Sequence, residues 1–388
     1  MDAIAHLAGG FVVFAFFAHI ATTLIALRRL RVPQPLLPPA DESSPPISII
    51  RPVCGLDAYE ELTLRSTFEL DYPRYEILLC CASPDDPVVA LAERLIAEHP
   101  QVKARLLIGD DQPSQNPKLN NVVKGWRNAA HEWIVMADSN VAMPRDYLQR
   151  LMSAWGPGIG LISAPAIGER PHNVWAELEC AYLNTYQARW QYAGDTLGIG
   201  FAQGKNMLWR RSDLESSGGI LALAREPAED AAATVIVRGL GLKVRLVDGA
   251  FPQPLGYRSA RQVWGRQVRW ARLRRATFPG VFALEILSGL AAPLACFLYA
   301  AWALEMETFD VLMVSSAYVT VWLAAEAWLA ASLGWYLTWR SPLLWLLREA
   351  LLPVLIVQSR LGKSLSWRGT QMTSARSEVE LGSGAFGS

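Results

Sequence analysis

The sequence predicts an α/β domain built on a largely parallel sheet and held between apolar, membrane-crossing segments near both ends of the chain. Three observations carry that reading. Between residues 47 and 275, short apolar runs alternate with helical stretches, the pattern of βαβ units with right-handed crossovers. Apolar runs long enough to cross a bilayer flank that region. Hydrophobic residues make up 52% of the 388 and the mean hydropathy is +0.17, more than a soluble domain ordinarily carries.

The first apolar run covers residues 7–27 and is broken only by small residues, two threonines and His19. Arg28, Arg29 and Arg31 follow at once, so the positive-inside rule places the downstream chain in the cytoplasm. A cleaved signal peptide fits poorly, because Asp2 and no Lys or Arg precede the run. Residues 1–32 are therefore read as an uncleaved anchor. Residues 33–46 hold six prolines and make an extended linker.

Within 47–275, strands are expected at 47–53, 75–81, 103–108 and 133–137, with helices at 60–70 and 87–99 and another opened by Asn116-Pro117. In such sheets ligands bind outside the carboxyl ends of the strands. Asp86 lies a few residues beyond the second strand and Asp138 directly after the fourth, so both fall on one rim. Asp86 also suits a helix cap, and Asp138 an ordinary turn. A carboxylate at a strand end facing a diphosphate needs a counter-cation, and hard oxygen ligands suit Mg²⁺ or Mn²⁺; Asp138 is the candidate metal ligand.

Lys118 begins the helix after Asn116, where a helix N-terminus favours anions. Asp230 precedes a helical run in Ala-Glu-Asp-Ala and reads either as a cap or as a general base that takes a proton from an acceptor hydroxyl. Arg266, Arg269 and Trp270 share one helix face at i, i+3 and i+4. Two guanidiniums can clamp a diphosphate, with the indole as an apolar wall. Seven arginines and no acid lie between 258 and 275, so a basic helix on anionic headgroups is the rival account.

Beyond 275 the chain is read as a membrane region over 276–369, with spans at 281–304 and 311–334 joined by an acidic connector, Glu305 to Asp310. The run 343–360 has basic residues on both flanks and holds Arg348-Glu349 and Pro353; it is expected to be re-entrant or interfacial. Glu326 and the Arg348-Glu349 pair are costly in lipid and should face protein or an amphiphilic groove. Residues 370–388 are expected to form a flexible tail.

Formal net charge is zero, so no global field favours nucleic acid. The five cysteines form no Cys-x-x-Cys pair, which speaks against zinc and disulfide frameworks. Arg outnumbers Lys 30 to 6, the bias of a GC-rich bacterial genome.

In this order, the stretches Arg51-Pro-Val-Cys-Gly-Leu-Asp57, Phe68-Glu-Leu-Asp-Tyr-Pro73, Asp85-Asp-Pro87, Asn116-Pro-Lys-Leu-Asn-Asn121, Asp138-Ser, Glu229-Asp230, Arg266-x-x-Arg-Trp270, Leu347-Arg-Glu349 and Trp367-Arg368 resemble the ceramide glucosyltransferase family, glycosyltransferase family 21. The likeness covers nearly the whole chain. It implies a GT-A (nucleotide-diphospho-sugar transferase) domain with a mixed, mostly parallel sheet, flanked by N- and C-terminal transmembrane helices. It implies transfer of glucose from UDP-glucose to ceramide with inversion, giving a β-glycoside. By the same resemblance Asp86 binds the uridine part of the donor, Asp138 holds the metal and diphosphate, Asp230 is the catalytic base, and Arg266, Arg269 and Trp270 secure the leaving UDP and the acceptor end; Lys118, at its helix start, can reach a phosphate or a base carbonyl of the donor. The implied site is a multi-pass bacterial inner membrane with the catalytic domain cytoplasmic. One departure is Asp138-Ser-Asn140, which has a single carboxylate where many GT-A enzymes have Asp-x-Asp. Another is Tyr186-Gln-Ala188, where eukaryotic members read Ser-His-Pro. Diacylglycerol or another lipid as acceptor, UDP-galactose or UDP-glucuronate as donor, and a processive polysaccharide synthase remain open on residue patterns alone.

Overall fold

The computed structural model describes residues 2–31, 40–361, 364–367 and 370–373. Of the linker expected at 33–46, residues 33–39 fall outside them, as does the tail expected at 370–388 beyond Thr373; residues 370–373 are a strand rather than flexible tail. One long helix, α1 (Asp2–Arg31), precedes the α/β domain. The first half of that domain runs β1 (Ile47–Pro52), α2 (Glu60–Arg65) with a 3₁₀ turn after it, β2 (Tyr75–Cys81), α3 (Val88–Glu98), β3 (Lys103–Ile108), α4 (Pro117–Asn128) and β4 (Trp133–Ala137). Next come α5 (Tyr147–Ser153), β5 (Ile159–Ser163) and β6 (Ala166–Pro171). A continuous helical rod follows, made of α6 (Val174–Ala181), a π-helical stretch (Tyr182–Ala188) and α7 (Arg189–Thr196). The domain closes with β7 (Asn206–Arg210), α8 (Arg211–Glu215), α9 (Glu229–Gly239), β8 (Lys243–Leu246), β9 (Phe251–Gly256) and α10 (Ala260–Thr277). The last helices are α11 (Pro279–Leu287), α12 (Ala291–Ala303), α13 (Thr308–Leu333) and α14 (Ser341–Arg360), ahead of a hairpin of β10 (Ser364–Trp367) and β11 (Thr370–Thr373).

The main sheet has seven strands in the order β3-β2-β1-β4-β7-β5-β8. β1 pairs parallel with β2 and β4, and β2 with β3. β7 alone runs antiparallel, between β4 and β5, so the sheet is mixed and mostly parallel. Strand order reverses between β1 and β4, which makes their carboxyl ends the natural ligand crevice. Side chains alternate across the sheet as a pleat requires. Ile50 and Met136 pack under α4 and α9, with Leu119, Trp126 and Val237. Ile49 and Val135 face the other layer, with Tyr147, Leu148 and Phe251. The four strands expected from sequence are all present: β1, β2 and β4 are buried almost throughout and read as continuous apolar runs, while β3, at the sheet edge and half-exposed, keeps a short apolar run at its carboxyl end.

Among the described residues, three helices are long and apolar enough to cross a membrane: Ala3–Arg31, Thr308–Leu333 and Ser341–Arg360. The run 281–304, read from sequence as one span, is instead two helices, α11 and α12, with a break at 288–290. The break has a cause. A Cβ on Gly289 would meet Glu349 Oε2 at 2.6 Å, and the Leu290 N–H, freed from the helix ladder, donates to that same oxygen at 2.6 Å. The run read as re-entrant, 343–360, lies within one continuous 20-residue helix, α14.

Arg348 on α14 is fully buried. It donates to both oxygens of Glu326 on α13 (3.0 and 2.7 Å), to Glu349 (2.6 Å), to the Ala181 carbonyl (2.8 Å) and to Thr185 Oγ1 (3.1 Å). Truncating one partner of a buried ion pair leaves an uncompensated charge. We expect Arg348→Ala to destabilise the detergent-solubilised protein by about 3–5 kcal/mol, read as a lowered unfolding midpoint. A wild-type midpoint would show that the glutamates are hydrated or protonated instead.

Candidate active site

The rim is built where β4 ends beside the start of its antiparallel neighbour. Ala137 pairs with Asn206, and the Asp138 N–H donates to the Lys205 carbonyl at 3.1 Å. The reversal of β7 therefore brings Gly204 and Lys205 to the carboxyl ends of the parallel strands. Lys118 Nζ lies 2.6 Å from one Asp138 oxygen and Lys205 Nζ 3.0 Å from the other. Lys205 also donates to Asn140 Oδ1 at 2.9 Å. Lys118 reaches further, to Glu229 Oε1 (2.5 Å) and the Gly204 carbonyl (2.6 Å).

Local structure aims these groups. Asn116 caps α4: its Oδ1 accepts the N–H groups of Lys118 and Leu119 (3.0 and 3.2 Å), while its Nδ2 donates to Glu229 Oε2 (3.0 Å). This is a capping geometry whose free donor ties α4 to α9. Asp230, in the first turn of α9, accepts the Gly204 N–H (2.9 Å) and the Ala231 N–H (2.8 Å). Under the turn after β4, the buried Arg51 guanidinium donates to the carbonyls of Asp138 (2.7 Å), Val141 (2.9 Å) and Thr63 (2.9 Å) and to Thr67 Oγ1.

The carboxylates are set apart electrostatically. Burial alone would raise Asp138, but the ammonium groups of Lys118 and Lys205 outweigh it and hold the group well below the usual range. Asp230 is pushed up to about 6, first by burial and then by Glu229, against the pull of Lys118. Burial works against the Lys118 ammonium, yet Asp138 and Glu229 raise it. The two neighbouring acids are thus driven apart: Asp138 is held toward its ionised form, and Asp230 is drawn toward its protonated one.

The other residues singled out from sequence lie around this cluster. Asp86 accepts the Gly55 N–H with both oxygens (2.8 and 3.0 Å) and the Val88 N–H at the start of α3 (2.9 Å), so it clasps the loop after β1 as well as holding a helix end. Arg266 is ion-paired to the buried Glu179 of α6. Burial, then Arg266, lower the Arg269 guanidinium to about 10, while Asp138, Glu229 and Glu179 pull the other way. The arginine pair thus shares the field of the rim carboxylates. Trp270 packs with Tyr336 against Ala176, Cys180, Leu183 and Leu255, which seats α10 on α6 and β9. Sequence reasoning missed Gly204, Lys205, Glu179 and the roles of Arg51 and Glu229. A Gly-Lys step ahead of β7 was the available signal for the first two; Glu179 gave none. Among the described residues, no group of three or more His, Cys, Asp or Glu is placed to hold a metal.

Residues 11–379 match the model of Glycosyl transferase family 21. The chain belongs to that family. This glycosyltransferase is 26% identical to ceramide glucosyltransferase 3 of Caenorhabditis elegans over 338 residues, covering 84% of this chain and 72% of the relative. It is 24% identical to ceramide glucosyltransferase 1 of the same organism, covering 93% and 78%. A ceramide glucosyltransferase of Komagataella phaffii is 30% identical over 50% of this chain and 42% of its own. Among solved structures, the chain is similar to the mannosyltransferase PcManGT from Pyrobaculum calidifontis in complex with GDP-Man and Mn²⁺, at 20% identity and a TM-score of 0.49 over 91% of this chain and 99% of that one.

Gly204 is the tightest point of the site. A Cβ there would sit 3.0 Å from Glu229 Oε1 and 3.2 Å from both Asp230 Oδ2 and Lys118 Nζ. We expect Gly204→Ala to fold normally and to lose sugar transfer by roughly tenfold, because the groups around it must give by a few tenths of an ångström, a fraction of the ~1 Å misplacement that costs about 100-fold. A wild-type rate would show that the cluster yields freely around the added methyl.

Proposed function

We propose that this family 21 glycosyltransferase moves glucose from UDP-glucose to the primary hydroxyl of ceramide, giving β-glucosylceramide. The observation that carries the reading is the split pair: Asp138 held ionised between two lysines, and Asp230 raised to about 6 across Gly204 from it. That is the equipment of a displacement in which one acid supports an anionic leaving group and another takes a proton. The names of the relatives supply the acceptor and the sugar.

In the proposed reaction the acceptor oxygen attacks the anomeric carbon while the bond to the diphosphate oxygen breaks. The hydroxyl proton passes to Asp230 and UDP leaves with the bonding electrons. General-base assistance suits a group whose pKa lies near the working pH. Lys118, Lys205, Arg266 and Arg269 bring positive charge to where negative charge develops, the largest single contribution in most such sites. Asp86, clasped to Gly55, marks the position proposed for the uridine. The hard oxygens of Asp138 and Asn140 converge on one cationic nitrogen, Lys205 Nζ, at 3.0 and 2.9 Å, so they suit a divalent cation that takes its other ligands from phosphates. Bound there, Mg²⁺ or Mn²⁺ would offset the diphosphate charge.

The orientation proposed is a catalytic domain on the cytoplasmic face of a bacterial inner membrane. Arg29, in the basic end of α1, pairs with Asp195 and Asp248, each at 2.5 Å, and donates to the Leu246 carbonyl at 2.6 Å. The basic end and the catalytic domain are thereby on one side, and basic flanks stay inside.

The decisive assay incubates purified protein with UDP-glucose, Mg²⁺ or Mn²⁺, and ceramide or diacylglycerol in parallel, with products identified by mass spectrometry. Hexosylceramide is expected; hexosyl-diacylglycerol alone would overturn the acceptor and keep the mechanism. Asp230→Asn is expected to lower turnover by roughly 10²–10⁴-fold, the usual worth of a general base, while UDP still binds. The rate should rise with pH through a midpoint near 6, since only the ionised carboxylate accepts a proton. Glu229→Gln removes a charge that raises Asp230 and should move that midpoint down; an unmoved or upward-moved midpoint would assign the profile to another group.

A further inference from the structure

Four charged side chains form a chain across the top of the site; the proposed chemistry uses only Arg266, at one end of it. Asp57 lies in the loop after β1, two residues beyond Gly55, whose N–H is held by Asp86. Arg258, just ahead of α10, donates to both Asp57 oxygens at 2.9 and 2.8 Å. Its Nε lies 3.7 Å from Glu179 Oε2. The other oxygen of Glu179 takes Arg266. Glu179 is fully buried and Arg258 nearly so. An ionised carboxylate at such a place is retained against a large desolvation cost only where it is paired, and here both partners are arginines on the side of the site.

We propose that Glu179 is a positioning residue for Arg266, and that Asp57, Arg258, Glu179 and Arg266 together couple the loop at the nucleoside end of the donor site to the arginines at its diphosphate end. The inference rests on the nucleotide-sugar reading of the site. Glu179 binds one edge of the Arg266 fork and leaves its remaining donors for the ligand; a guanidinium anchored in this way loses less freedom when it meets a phosphate. At the far end of the chain, the β9–α10 junction rests against the same loop: Gly256 has φ +64°, and a Cβ there would meet Ala58 Cβ at 2.8 Å. Closing the loop on a nucleoside and setting Arg266 on a diphosphate are then one event. Arg258 Nε and Glu179 Oε2 make no hydrogen bond of their own and stand one short shift from making one.

The test is UDP binding to the full-length protein in detergent, by titration calorimetry, with donor KM and kcat measured alongside. Asp57→Asn and Glu179→Gln are each expected to weaken UDP and raise donor KM by about tenfold, with kcat falling by a smaller factor than KM rises. The double variant should lose little more than either single one, as members of one network do. Unchanged affinity in both singles, or losses that multiply in the double, would overturn the coupling. Asp57 is the more exposed end of the chain, so Asp57→Asn paired with Arg266→Lys gives the same cycle if Glu179→Gln fails to fold. Wild-type protein that binds no UDP would instead overturn the donor reading itself.

Discussion

The architecture hangs on the charge cluster around Arg348. It joins α14 to Glu326 on α13, and through Thr185 and the Ala181 carbonyl to the helical rod that starts at α6. Arg189, one turn further along the rod, donates to the Thr185 carbonyl (2.9 Å) and to Thr22 Oγ1 of α1 (2.6 Å). His19 of α1 stacks on Trp322 of α13 with ring centroids 3.7 Å apart. Two arginines and two glutamates thus sum to zero charge in a place with almost no solvent. A polar network in a low-dielectric setting is strong when complete and costly when broken. The π-helical widening at Tyr182–Ala188 is the local price of placing Thr185 within reach, in keeping with the habit of π-bulges to mark functional positions.

The same logic recurs at the candidate active-site rim with a different outcome. Lys118 is shared between Asp138 and Glu229, and Lys205 completes the pairing of Asp138. Asp230 is held by the backbone N–H groups of Gly204 and Ala231, and among the described residues no cation pairs with it. The network therefore spends its positive charge on two of three acids and leaves the third raised. No difference in residue type between Asp138 and Asp230 accounts for this; the antiparallel insertion of β7 does, by bringing Lys205 to one acid and the Gly204 N–H to the other.

How much of this was legible follows from the same geometry. The strands β1 to β4 and helices α3 and α4 could be read locally, because each carries its own periodicity. Asp86 and Asp138 could be placed on one rim, because parallel strands put their carboxyl ends together. Lys205 could not, since its position depends on a strand about 70 residues further along the chain that pairs in reverse. Glu179 looks in sequence like a surface residue of a helix; only tertiary packing buries it between two arginines. The run 281–304 shows why hydropathy alone misled: its composition suits one span, yet Gly289 and the Leu290 N–H meet a carboxylate that lies 59 residues away in sequence.

The arginine helix connects the two networks. Trp264 of α10 donates to Gln358 Oε1 of α14 at 2.6 Å, and Arg272 to the Leu361 carbonyl at 2.6 Å. On the other side Gln187, in the π-helical stretch, donates to Gln267 at 3.1 Å. Arg266 and Arg269 are thus carried on a helix whose seat is made by α14 and by the rod that Arg348 fixes. A displacement of the membrane-proximal helices cannot be absorbed in a loose hinge, because these bonds leave α10 no independent seat. It reaches Arg269, which feels the charge of Asp138 and Glu229, and Arg266 beside it, and with them the position proposed for the diphosphate. In a family whose relatives are ceramide glucosyltransferases, that gives the apolar helices a mechanical path to the proposed donor site, made of side-chain hydrogen bonds and packed helices.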